Sequence, residues 1–317
     1  MASTTLKVTN RSAQKPIKKL PTSVEITDKT TVQDVKDILA KQAGGKDPNR
    51  LGILDPEKKK ILKDRKALMS QQKEVMAGKE ILIKDLGPQI SWLTVFIIEY
   101  AGPIFIHLSF LLLRPYIYKD GDRPFSLSQK LSMAMVVLHF IKREYETLYV
   151  HRFSLSTMPV RNIFKNCAHY WIFSGFNLAY WIYSPNAYSA LESPAIDYIN
   201  IIGLVLFVFG EASNLHTHMT LSNLRTLGGT ERGIPKGYGF NIVTCPNYMF
   251  ETVAWIGILL VTKSASTVLF LVLACWQMQQ WAVKKEKALR AEFGDKYKKK
   301  RYPMIPSPGA VIKALTG

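Results

Sequence analysis

Residues 91–113 read SWLTVFIIEYAGPIFIHLSFLLL. A helix rising about 1.5 Å per residue needs about 20 mostly apolar residues to cross a bilayer core, and this stretch satisfies that without a Lys or Arg. Its one carboxylate is Glu99. Read as a spanning helix, the stretch makes the chain a membrane protein. Ile201–Gly210 qualifies when extended to both sides. Leu131–Ile141, Ala168–Tyr183, Phe250–Val261 and Ala265–Trp276 are shorter or carry polar residues, and each can be extended. The expected count is six.

Charge is distributed to match. The 317 residues carry a net +18, yet nearly half are hydrophobic. Residues 1–90 hold 19 basic and 11 acidic side chains and residues 284–317 hold 10 and 3, so the two ends are basic and the middle is almost neutral. Lysine blocks beside long apolar runs reflect membrane topology rather than nucleic-acid binding, so no nucleic acid is expected as a partner. With both basic ends in the cytosol the number of spans is even. The 142–165 loop, with Lys142, Arg143, Arg152, Arg161 and Lys165, and the 216–240 segment, with Arg225, Arg232 and Lys236, then face the cytosol. The loop SPNAYSALESPAID (184–197) has no Lys or Arg and faces the lumen. Six spans obey the positive-inside rule throughout. Cys167, Cys245 and Cys275 are far apart and odd in number, so neither a metal site nor a disulfide framework follows from them. The N-terminal MASTTLKVTNR lacks the apolar core of a signal peptide.

Ahead of the first span, LKVTNR and SVEIT alternate as strands do, and TTVQDVKDILAKQ is patterned as a helix. Thr31 caps it, Asp34 occupies the third helical position, and Val32, Val35, Ile38 and Leu39 form the apolar stripe. RLGIL and KEILIKDL supply two further strands. This order resembles a ubiquitin-like β-grasp fold. The fold class is therefore an α+β front end over residues 1–88, followed by an all-α polytopic membrane domain over 89–317 with a basic cytosolic tail. Without a C-terminal Gly-Gly, the front end is expected to dock or stabilise rather than be conjugated.

The topology collects polar residues at one depth. Lys142 and Arg143 end span two, and Asn214, His216 and His218 end span four. Asn247, Tyr248 and Glu251 begin span five, and Lys284 and Lys285 follow span six. Lysines at helix ends often only snorkel to headgroups, and that is the expectation for Lys284 and Lys285. Pro246 suits the first turn of a helix, with Thr244 or Cys245 as its lead-in. Asn214 with His218, and Asn247 with Glu251, are each spaced i, i+4 and share a helix face. Either pair alone would make an interhelical clasp, whereas both at one depth beside a tyrosine and an arginine favour a site. Glu99, deep in span one with no basic residue nearby in sequence, is expected to face a ligand.

The blocks HFIKREYETLYVHRFSLSTMPVRNIFKN, NLHTHMTLSNLR and TCPNYMFETVAWIG resemble those of very-long-chain trans-2-enoyl-CoA reductases of the steroid 5-alpha-reductase superfamily. The resemblance covers the whole chain, including the front end and SWLTVFIIEYAGP. It implies a multi-pass enzyme of the endoplasmic reticulum that reduces trans-2-enoyl-CoA to saturated acyl-CoA with NADPH, the last step of very-long-chain fatty-acid elongation. Other elongation enzymes and the lipid bilayer are the implied partners. The resemblance assigns Tyr248 as the acid, with Lys142 close by to orient it or ease its ionisation, and Glu99 as substrate-facing. It assigns Arg143, Asn214, His218, Arg225, Asn247 and Glu251 to NADPH. Steroid reductases carry a ketone-polarising tyrosine where Phe140 follows His139, and an aspartate where His218 stands, which weighs against a steroid substrate. LRTLGGTERG lacks the spacing of a Rossmann fingerprint, so a dinucleotide would be held within the helix bundle. Alternatives are a steroid or polyprenol double-bond reductase, a membrane methyltransferase, or a non-catalytic elongase scaffold.

Overall fold

Alternation of apolar and polar side chains in the first residues produces strand β1 (Thr4–Asn10), which buries Leu6 and Val8. The computed structural model describes residues 3–153, 156–191, 197–225, 233–300, 302–310 and 312. Part of the 184–197 loop, Arg232 and most of the glycine-containing LRTLGGTERG lie outside the described residues. The chain divides into two units, the first comprising the described parts of Met1–Thr94 with Phe153–Ile163. There β1 pairs antiparallel with β2 (Ser23–Ile26) and parallel with β4 (Glu80–Asp85), which pairs antiparallel with β3 (Leu51–Leu54). The sheet order is β2-β1-β4-β3.

Helix α1 (Val32–Gln42) covers this sheet's apolar face with Val32, Val35 and Leu39. Its start follows the expected chemistry. The Thr31 side chain accepts from the Asp34 amide, and the Asp34 carboxylate accepts from Thr31 N at 2.8 Å, a reciprocal capping box. Short α2 (Lys73–Gly78) precedes β4. A second, two-stranded sheet joins β5 (Gln89–Ser91) to β6 (Thr157–Pro159). That pairing has no signal in the sequence, because three-residue strands carry too little periodicity.

The second unit is helical: α3 (Trp92–Ile117), α4 (Leu127–Tyr145), α5 (Asn162–Cys167), α6 (Leu178–Ile182), α7 (Tyr198–Asn223), α8 (Pro246–Thr262) and α9 (Ala265–Phe293). A π-helical run, Ala168–Asn177, joins α5 to α6 in one rod, and another, Glu146–Val150, extends α4. These helices, among the described residues, overlap the stretches read as spans. Among the described residues, α3 and α7 are long and apolar enough to cross a membrane by length and composition. α9 runs unbroken to Phe293, so Lys284 and Lys285 lie within a helix rather than after one.

This unit inverts the usual burial rule. Outward residues are apolar, with Phe105, Leu112, Val205, Val208, Val272 and Trp276 all exposed. Arg114, Gln129, Glu146, Asn200 and Asn214 are buried. Many of the inward polar groups bond to one another inside the bundle. His107 Nδ1 lies 2.6 Å from the Tyr183 hydroxyl, and Gln129 Nε2 donates to the Ile182 carbonyl at 2.9 Å.

α7 and α8 pack most closely, since glycines remove the side chains between them. A Cβ at Gly210 would sit 2.5 Å from Ala254 N, and one at Gly257 would sit 2.5 Å from the Gly203 carbonyl oxygen. That approach brings the polar end of α7 onto the first turn of α8.

Candidate functional site

Helical spacing builds the site from three elements. His139, Lys142, Arg143 and Glu146 lie at i, i+3, i+4 and i+7 along α4 and its π-helical extension, and therefore share a face. Glu211, Asn214 and His218 do the same on α7, and Asn247 and Glu251 on α8. The structure closes these faces into one buried ionic network.

Lys142 Nζ lies 2.9 Å from Glu211 Oε2 and 3.1 Å from Glu146 Oε1, and donates to Asn214 Oδ1. Arg143 pairs with Glu146 Oε2 and donates to the Tyr100 hydroxyl at 3.0 Å, its guanidinium 5.1 Å from that ring's centroid. His139 is held between two carboxylates, with Nδ1 2.6 Å from Glu211 and Nε2 3.4 Å from Glu251. Asn214 Nδ2 donates to the Asn247 carbonyl at 2.8 Å and to Glu251 Oε2 at 3.0 Å. His218 Nδ1 lies 3.0 Å from Glu146 Oε1 and 3.3 Å from Arg143 Nη1. Glu146 Oε1 is thus within ion-pair distance of Lys142 and His218 while lacking the angles of a hydrogen bond.

Of the expected cofactor residues, Arg143, Asn214, His218, Asn247 and Glu251 are brought together here. Arg225 Nη1 donates to the Arg152 carbonyl at 3.1 Å. His216 turns out of the network, its ring edge-on to Tyr238 at 5.4 Å between centroids. Glu99 is buried with Oε1 lacking a hydrogen-bond partner among the described residues, and the next residue, Tyr100, reaches Arg143. Asn247 Oδ1 likewise lacks a hydrogen-bond partner among the described residues. Most buried polar atoms in proteins are satisfied; Glu99 Oε1 and Asn247 Oδ1 are among several buried acceptors here that are not, and such atoms are places where a ligand can donate.

The expected pairing of Lys142 with Tyr248 is not formed. Residues one apart on a helix point about 100° away from each other, so Tyr248 cannot share the face of Asn247 and Glu251. Its ring lies against α9, 6.2 Å from the Trp281 ring and 5.0 Å from Lys285 Nζ. Lys285, an exposed residue, thus reaches this ring as well as the surface. Thr244 and Cys245 lead into α8 as expected. Cys245 holds the cap position without a side-chain bond, and the Thr244 hydroxyl donates to Glu286, as does the Tyr297 hydroxyl at 2.6 Å.

Sequence reasoning missed Glu146, Glu211, Tyr100 and His151 and gave His139 no role. Glu211 stands three residues before Asn214 and Glu146 four after Lys142, so the same spacing rule could have found both. Glu146, His151 and His218 have donor atoms within 4.8 Å of one another, a metal-like grouping. Arg143 and Lys142 already neutralise its one carboxylate, which makes the grouping a poor host for a further cation.

Residues 156–307 match the family described as 3-oxo-5-alpha-steroid 4-dehydrogenase. The chain is 40% identical over 307 residues to the very-long-chain enoyl-CoA reductase of Dictyostelium discoideum, covering 95% of this chain and 98% of that protein. A Schizosaccharomyces pombe protein bearing an enoyl reductase name is 49% identical over 233 residues, 72% of this chain and 76% of its own. The trans-2,3-enoyl-CoA reductase-like protein of Homo sapiens is 30% identical over 296 residues, 89% of this chain and 78% of its own.

Proposed function

Because the chain belongs to the very-long-chain enoyl-CoA reductases of the steroid 5-alpha-reductase superfamily, we propose that it reduces a trans-2-enoyl-CoA to the saturated acyl-CoA with NADPH. In this reading it is a six-span protein of the endoplasmic reticulum serving fatty-acid elongation, with both termini cytosolic. Apolar outward faces around buried polar groups support a bilayer as the solvent of the helical unit. The β2-β1-β4-β3 sheet under α1 supports a ubiquitin-like front end, whose proposed work is docking to other elongation enzymes.

The single observation that carries the reading is the buried network of α4, α7 and α8 with its orphan acceptor, Asn247 Oδ1. An amide oxygen without a donor suits a nicotinamide carboxamide. Glu251 and Asn214 suit ribose hydroxyls, and the guanidinium groups of Arg143 and Arg225 suit phosphates. NADPH supplies the hydride that reaches the β-carbon of the enoyl thioester. The π-electrons then move to the thioester oxygen, and hydrogen-bond donors around that oxygen stabilise the enolate. Tyr248 gives its hydroxyl proton to the α-carbon. Glu99, with its own orphan oxygen, faces the thioester end of the substrate.

Purified full-length protein in detergent tests this. NADPH is expected to raise its Tm while S-adenosylmethionine leaves it unchanged; the opposite result would replace reduction by methyl transfer. Tyr248→Phe is expected to stay folded and still be protected by NADPH, yet to lose about 100-fold or more in NADPH oxidation with a trans-2-enoyl-CoA. Full turnover by this variant would remove Tyr248 from the reaction.

A further inference from the structure

We propose that Lys285 is the positioning residue for Tyr248, holding the phenol and stabilising the phenolate left when its proton departs. The inference rests on the reading of Tyr248 as the acid. Three observations lead to it.

α9 continues past the expected end of its span, so Trp281 and Lys285, spaced i, i+4, present one face to α8. The Tyr248 ring meets both, with Lys285 Nζ 5.0 Å from its centroid. The second observation is that the ammonium is uncommitted. Among the described residues no carboxylate forms an ion pair with Lys285, and its neighbour Glu286 is turned to Thr244 and Tyr297 instead. Lys142, the alternative, already has Glu146, Glu211 and Asn214 around it. An ammonium neutralised by two carboxylates has little field left for a phenolate, whereas one without an acid partner keeps its full charge. Finally, the mount is fixed. The Tyr248 carbonyl accepts from the Thr252 hydroxyl at 2.9 Å, and that hydroxyl lies 3.5 Å from Cys275 Sγ on α9, which ties the two helices together one turn along.

The step balances as follows. NADPH provides both electrons with the hydride at the β-carbon. The α-carbon gains its C–H bond as the Tyr248 O–H bond breaks, and both O–H electrons remain on the phenolate oxygen. Lys285 stabilises that oxygen until water returns the proton. Negative charge develops on the phenol oxygen only during turnover, so Lys285 acts on the rate of the protonation step rather than on ligand binding.

The test uses the full-length enzyme in detergent with NADPH and a trans-2-enoyl-CoA, comparing Tyr248→Phe, Lys285→Met and Lys285→Arg. Lys285→Met is expected to lower kcat about 100-fold. Its KM values and its NADPH affinity, read by nicotinamide fluorescence, are expected to stay within about twofold of the parent, because uniform binding is untouched. The solvent deuterium isotope effect on kcat is expected to rise, and Lys285→Arg to recover most of the rate because the cation is kept. A raised KM or weakened NADPH binding with unchanged kcat would overturn the inference by making Lys285 a ligand contact. Parental kcat and isotope effect in Lys285→Met, alongside an inactive Tyr248→Phe, would also overturn it while sparing the acid. An active Tyr248→Phe would remove the acid and this inference together. Should Lys285→Met fail to fold, parental kcat with no change in isotope effect in Lys285→Gln would be the overturning result.

Discussion

Glu146 shows how much one side chain carries in this protein. Its side chain is fully buried, and Arg143, Lys142 and His218 surround it. Buried carboxylates lose their hydration, so they persist only where cations replace it. Glu146→Gln keeps the volume and removes the charge, which leaves Arg143 and Lys142 under-compensated. The expected cost is about 3 kcal/mol or more, read as a lowered Tm and denaturant midpoint. The exposed pair of Lys58 and Glu74, 2.5 Å apart, provides the contrast. Glu74→Gln is expected to leave Tm and the denaturant midpoint almost unchanged, because solvent screens that pair. Equal losses at the two sites would mean that the network around Glu146 is not dry.

At the scale of elements, helix packing decides whether the network exists at all. Gly210 and Gly257 let the α7 and α8 backbones approach until Asn214 reaches the Asn247 carbonyl. The atoms a new Cβ would strike are backbone atoms, which cannot rotate away. Gly257→Leu is therefore expected to lower Tm by about 5 °C or more and to broaden the detergent-solubilised peak in size-exclusion chromatography. Gly309→Ala, with open space around it, is expected to change neither. The π-helical turn Glu146–Val150 belongs to the same account. The His151 amide donates to the Glu146 carbonyl at 2.7 Å, five residues back, so the chain leaves α4 with one wide turn and His151 is carried to the His218 ring, 4.9 Å between centroids. π-Helical turns are rare and cluster at functional sites.

For the whole molecule, the decisive quantity is which solvent surrounds the helices. An outward surface bearing Phe105, Leu112, Val208 and Trp276 is unfavourable in water and favourable in hydrocarbon. The proposed six crossings with both termini cytosolic would put Tyr188, exposed in the 184–197 loop, in the lumen. In a background without Cys167, Cys245 and Cys275, Tyr188→Cys in sealed microsomes is expected to resist a membrane-impermeant maleimide until detergent is added. Lys7→Cys, at an exposed position of β1, is expected to react at once. Equal labelling of both in sealed vesicles would exclude an even number of crossings with that loop inside.

Periodicity and charge in the chain by itself determined the order of elements, from a strand-and-helix front end to a helical remainder that includes the long apolar helices α3 and α7. Short-range spacing also placed Asn214 with His218, and Asn247 with Glu251, on common faces. Those features are local, set by 3.6 and 2.0 residue repeats and by capping chemistry that a one-dimensional pattern records. Which lysine meets which tyrosine is not local. The TCPNYMFE tract reads as a single polar mouth, yet its helix sends Asn247 and Glu251 to α7 and α4 and turns Tyr248 to α9. Rotation about the α8 axis and the close glycine contact with α7 divide those neighbours. Only the tertiary structure decided that Lys142 belongs to the carboxylates and Lys285 to the phenol.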